Sequence, residues 1–311
     1  MRVKNKYILL FVIFFQSLFG LTQNDLLSNK KEVVEADWSN PTGPYSVIME
    51  IDKTLKGHTI YRPVILDEFS LNDKLPIIAF SGPGCDFDGT SFRPFYTEIA
   101  SYGFLVIVSG LPWSDYEAKM AATKTTGEDL KEAIDWAISE NIRKTSKYYG
   151  KVDTKNVAVM GQSCGGLQTL GILDDKRITL LALWNSGMFE GSLSMMKIGS
   201  ETLSGTREDL KLLHTPIAYF VGGTDMARPN AVGDFEEIEN VPVFMAVNEI
   251  EGDAHAGTFR EKNGGSFAIA GVAWVMWNMK GDKKAAEMFK GNPCGLATDK
   301  NWIEIRKKNI D

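Results

Sequence analysis

Three features of the sequence predict a doubly wound, mostly parallel α/β sheet with an antiparallel hairpin at its N-terminal edge. Six short apolar runs recur along the chain: Pro76 to Phe80, Phe104 to Ser109, Asn156 to Met160, Thr179 to Trp184, Pro216 to Val221 and Val243 to Val247. They are apolar throughout rather than alternating, as strands covered by helices on both faces must be. Stretches of helical period separate them, and two β-rich segments, Tyr45 to Ile51 and His58 to Leu66, precede them around a Lys56-Gly57 turn. In such a sheet ligands bind at the carboxyl ends of the strands. Chemistry is therefore sought just after each run.

The chain starts with Arg2, Lys4 and Lys6, an apolar run from Tyr7 to Phe15, and the small residues Ser17, Gly20 and Thr22. Gln16 and Ser17 end that run well short of the ~20 apolar residues a spanning helix needs. Residues 1–22 are thus expected to be a secretory signal peptide, cleaved between Gly20 and Gln23, with no membrane attachment afterwards. Residues 23–311 are expected to form a single domain that works in a secreted or periplasmic setting. A polar lead runs to about Pro44 and is expected to wrap the surface. After Thr126, a residue suited to capping, Asp129 sits at the third position, and Leu130, Ala133, Ile134, Ala137 and Ile138 repeat at spacings of three and four. That pattern predicts an amphipathic helix with a capping box.

Composition agrees with a globular domain of this length. The 311 residues are 44% hydrophobic and 24% charged, enough to bury a sizeable core. With 34 Lys plus Arg against 40 Asp plus Glu, the net charge of −6 argues against a nucleic-acid partner. The three cysteines, Cys85, Cys164 and Cys294, and the three histidines show no metal-ligand spacing, so no metal or organic cofactor is implied. Outside the cytoplasm, three cysteines read most simply as one disulfide and one odd thiol.

The chemistry centres on Gly161-Gln162-Ser163-Cys164-Gly165-Gly166, which follows the Asn156 run and precedes a helical stretch, Leu167 to Leu173. A serine held on a sharp strand-to-helix turn brings neighbouring backbones too close for a Cβ, which is why glycines flank it. The same turn aims the N–H of the next residue, Cys164, at a developing oxyanion. A serine needs a base, and histidine has the right pKa. His58 lies in the hairpin and reads as a surface or turn residue; His214 precedes a strand, at the wrong edge of the sheet. His255 follows the last apolar run on a small-residue loop, and is the base by elimination. Asp225, in Gly222-Gly223-Thr224-Asp225, falls past a strand end between Ser163 and His255, the chain order nucleophile, acid, histidine. Asp234, Glu236 and Glu237 compete from the next helix, where a solvated face is expected, and Glu249, Glu251 and Asp253 from near the histidine. A second oxyanion donor is expected from Ser81-Gly82-Pro83-Gly84-Cys85, after the Pro76 run.

These residues, from about Tyr45 to Met279, resemble the α/β-hydrolase superfamily, in particular its secreted esterase branch similar to cutinase-like polyester hydrolases and dienelactone-hydrolase-like enzymes. The resemblance implies the oxyanion position for Cys85, where that branch usually carries an aromatic. It implies substrate-lining roles for Trp184, in Leu183-Trp184-Asn185-Ser186, and the triad roles of Asp225 and His255. Gln162 and Cys164 depart from the branch, which more often has His or Trp and then Met, so its acyl pocket does not transfer. If the N–H groups of Cys85 and Cys164 serve one oxyanion hole, their Cα atoms fall near the ~4.4–6.8 Å a disulfide spans. A Cys85–Cys164 disulfide is then expected, with Cys294 free. The implied activity is ester hydrolysis through an acyl-enzyme; secretion and the aromatics Phe87, Trp113 and Trp184 near predicted strand ends suit polysaccharide-linked acyl, aryl or polyester substrates, and Phe87 is expected to line the substrate site with Trp184. A dienelactone-type hydrolase, a peptidase and a non-catalytic binding protein on the same scaffold are the alternatives.

Overall fold

In the computed structural model, which describes residues 40–70, 73–112, 124–189, 197–198, 201–202, 205–250 and 253–311, the six apolar runs are strands. They are β3 (Leu75–Ser81), β4 (Leu105–Ser109), β5 (Val152–Gln162), β6 (Leu180–Trp184), β9 (Ile217–Gly222) and β10 (Val243–Asn248). The hairpin is β1 (Val47–Glu50) and β2 (His58–Pro63), antiparallel with Val47 opposite Pro63. A separate two-stranded ribbon pairs β7 (Lys197–Ile198) with β8 (Glu201–Thr202). The expected signal segment, most of the polar lead, Trp113 and Glu251 lie outside the described residues.

Neither strand of that ribbon was expected from the sequence, nor was one strand of the main sheet. β11 (Trp302–Lys308) pairs antiparallel with β10 and closes the nine-stranded order β1-β2-β4-β3-β5-β6-β9-β10-β11. Its Glu304, Arg306, Lys307 and Lys308 hide it from a search for apolar runs. The same charges suit an edge strand, where they discourage pairing with another chain. β5 likewise starts earlier than its apolar run, because polar Asp153 still pairs with Pro76 of β3.

The six central strands, from β4 to β10, run parallel. Their side chains alternate between two cores: Ile77 and Ala79 of β3 join Val157 and Val159 of β5 on one face, while Ile78 and Phe80 join Ala158 and Met160 on the other. Helix α1 (Arg93–Ala100) and helix α5 (Gly265–Lys280) cover the second face through Phe95, Tyr96, Phe267 and Trp274. The first is covered by α2 (Gly127–Ile142) through Leu130 and Ile134, by α3 (Cys164–Leu170) through Leu167 and Leu170, and by α4 (Arg228–Glu237) through Ala231 and Phe235. A short α6 (Lys283–Ala286) follows α5. The expected cap of α2 is present: Thr126 accepts from the Glu128 N–H, and Asp129 accepts from the Thr126 N–H at 2.6 Å. Among the described residues no helix is long and apolar enough to cross a membrane.

Candidate active site

Ser163 stands between the end of β5 and the start of α3, with φ +53° and ψ −119°. A non-glycine residue there is strained and persists only where its surroundings over-determine it. Those surroundings are the glycines. A Cβ on Gly161 would lie 2.2 Å from the Gly165 carbonyl carbon, one on Gly165 2.0 Å from the Ser81 carbonyl oxygen, and one on Gly166 2.3 Å from Ser186 Oγ. Helix α3 begins at Cys164, directly after the serine, and ends at Leu170, earlier at both ends than the expected Leu167 to Leu173. The Ser163 N–H donates to the Trp184 carbonyl at 3.0 Å, and Ser186 Oγ donates to the Ser163 carbonyl at 2.7 Å. The turn is thereby fixed to β6.

The loop after β10 brings His255 to this serine. His255 Nε2 lies 2.8 Å from Ser163 Oγ, and Nδ1 lies 2.6 Å from Asp225 Oδ2. An ionised carboxylate only accepts, so Nδ1 carries the proton and donates to Asp225, leaving Nε2 to accept from the Ser163 hydroxyl. Asp225 sits past the end of β9 with its side chain fully buried, and its other oxygen accepts the Ala227 N–H at 2.6 Å. The bond to Asp225 holds the imidazole above its ordinary pKa; partial burial opposes the rise, and the charges of Asp225 and Asp253 add to it.

The other histidines and acids lie elsewhere. His58, expected at the surface, is buried, and its ring nitrogens meet the Lys56 and Asp129 carbonyls at 2.8 Å each. His214 is exposed at the amino end of β9. Asp253 turns its carboxylate back onto the N–H groups of His255 and Ala256, capping the turn that carries His255. Glu236, Glu237 and Glu249 are exposed. Asp234 departs from the expected solvated face: it is fully buried, accepting from the Met188 N–H at 2.7 Å and from Arg207 Nε at 3.2 Å.

Cys85 and Cys164 are joined by a disulfide with their Cα atoms 5.2 Å apart, and Cys294 is a buried free thiol. Gly84 and Cys85 take φ +64° and +49° in succession, a tight turn closed by the Asp86 N–H on the Pro83 carbonyl. The Gly165 N–H donates to the Gly82 carbonyl at 3.1 Å, so this loop and the Ser163 turn are stitched by backbone as well as by sulfur.

Beside Ser163 and His255 opens a cavity of about 150 Å³ whose apolar walls are Leu167, Phe189, Met226 and Ala227, with Asn230 as a polar point. Two residues expected to line the substrate site are placed otherwise. Trp184 is wholly buried on the α1/α5 face, stacked on Phe220 at 4.4 Å and edge-on to Phe95 at 5.2 Å. Its position in β6 directs its ring inward, while the next residue, Asn185, reaches the cavity. Phe87 is half-buried and packs by its ring against Gly57 of the hairpin turn, away from the cavity walls. Met226 and Phe189 were not singled out from the sequence, although Met226 adjoins Asp225 at a strand's carboxyl end and carried that positional signal.

A parallel sheet sandwiched by helices, with a strained serine on its β5–α3 turn, defines an α/β-hydrolase. The family model described as PETase, PET hydrolase-like, matches residues 35–192. The chain belongs to this PET hydrolase-like family and is a hydrolase of the ester-cleaving α/β type. The matched span holds Cys85, Ser163, Cys164 and Trp184 but ends before Asp225 and His255. No curated protein matches the chain.

Proposed function

We propose that the protein is a serine carboxylic-ester hydrolase working through an acyl-enzyme. The observation that carries this is the unbroken relay from Asp225 to His255 to Ser163, at 2.6 and 2.8 Å, beside an open cavity. Ser163 Oγ attacks the ester carbonyl while His255 Nε2 takes its proton, and Asp225 holds the resulting imidazolium. The N–H groups of Cys85 and Cys164 donate hydrogen bonds to the carbonyl oxygen as negative charge builds on it. His255 returns the proton to the departing alcohol, and water then repeats the sequence on the acyl-enzyme to free the acid.

The cavity walls suit an apolar acyl or aryl group at the serine. Polysaccharide-linked acyl, aryl and polyester esters form the substrate panel to screen. Ser163→Ala is expected to lower hydrolysis of a p-nitrophenyl ester by roughly 10⁴-fold or more while far-UV circular dichroism stays unchanged. Undiminished turnover by that variant overturns the assignment. Residues 1–22 are further proposed as an export signal ahead of a single catalytic domain. N-terminal sequencing of exported protein that still begins at Met1 would refute this.

A further inference from the structure

We infer that Asn185 is a positioning residue, its carboxamide tying the strand that carries the acid to the loop that carries the base. The inference rests on the triad reading given above. Asn185 is fully buried at the end of β6 with φ +46°. Its Nδ2 donates to the carbonyls of Ala254, at 3.0 Å, and of His255 itself, at 2.9 Å. Its Oδ1 accepts the Gly222 N–H at 2.8 Å, three residues before Asp225. One planar group thus sets the separation between the end of β9 and the His255 loop, apart from the Asp225–His255 bond. A second amide shares the task, since Gln162 Nε2, from the residue preceding Ser163, also donates to the His255 carbonyl at 2.8 Å.

The backbone points the same way. Of the five non-glycine residues with positive φ among the described residues, Cys85, Ser163 and Asn185 gather at this site. Asparagine tolerates that conformation better than most residues, so a purely conformational reason for Asn185 must be separated from a reason in its amide. Glycine accepts the same φ without an amide. Aspartate keeps the side chain's shape but sets an oxygen where Nδ2 donates.

The test is steady-state kinetics of Asn185→Gly and Asn185→Asp with a p-nitrophenyl ester, alongside Ser163→Ala. Both Asn185 variants are expected to lose about 10- to 100-fold in kcat, the scale of a ~1 Å misplacement of a catalytic group. KM should stay within about twofold, and labelling of Ser163 by a fluorophosphonate should slow by the same factor as kcat. In Asn185→Gly, which adds no charge, the acid limb of kcat/KM, set by His255 facing Asp225 and Asp253, should move to lower pH as the imidazole loses its alignment with Asp225. Asn185→Gly with wild-type kcat overturns the inference, because conformation alone then suffices. So does a fall in kcat with KM raised alongside and the pH limb unmoved, and so does failure of both variants to fold, which would assign the amide to stability. Activity surviving in Ser163→Ala would instead remove the triad reading.

Discussion

Gly161, Gly165 and Gly166 are glycines for a reason that can be read in ångströms. A Cβ at Gly165 would sit 2.0 Å from a backbone oxygen of β3, which no side-chain rotation relieves. Gly165→Ala is expected to destabilise the fold by at least about 2 kcal/mol, read as a lowered urea midpoint with unchanged slope. A wild-type midpoint would show that the turn can shift after all. Ser163 and its glycines were legible because the chemistry and the sterics write one short motif. His255 was legible because three histidines could be placed against strand ends. Trp184 was not, since an aromatic at a strand end looks alike whether its ring faces a cavity or a core, and only the parity of β6 decides. Asn185 went unread beside it, because a buried amide bonded to three backbone groups leaves no trace in local sequence.

At the level of elements, the cavity wall next to Ser163 depends on a contact between pieces far apart in the chain. Asp234 of α4 accepts from the Met188 N–H, and Arg207, which opens the two-turn 3-10 segment Arg207–Leu212, donates to the Met188 carbonyl at 2.9 Å. Gly187 and Phe189, on either side of Met188, line the cavity. Burial pushes Asp234 up to about 7, against the pull of the Met188 N–H and Arg207. A carboxylate raised on folding contributes stability that is complete below its unfolded value, about 3.9, and is lost as pH rises through the folded value. Denaturant unfolding is therefore expected to show stability falling between about pH 4 and 7. Asp234→Asn should flatten that fall; an identical profile in the variant would exclude Asp234 as its source. The six central strands and α2 were legible because burial on both faces and a capping box each impose a pattern. β11 was not, because an edge strand takes its place from its partner's hydrogen bonds rather than from apolar residues.

Over the whole molecule, the sheet order, with parallel strands at the centre and antiparallel ones at both margins, sets Ser163, Asp225 and His255 at one rim, though His255 and Ser163 are 92 residues apart. The Cys85–Cys164 bond spans 79 residues and closes the chain between β3 and α3. Its loss, by dithiothreitol or by replacing both cysteines with serine, is expected to lower unfolding free energy by about 2–4 kcal/mol, measured by urea titration. Unchanged stability would show that the backbone stitching alone holds the two turns. Because the bridge runs from the loop after β3 to Cys164, the residue next to Ser163, a reductant that cuts it acts on the backbone beside the serine as well as on the fold.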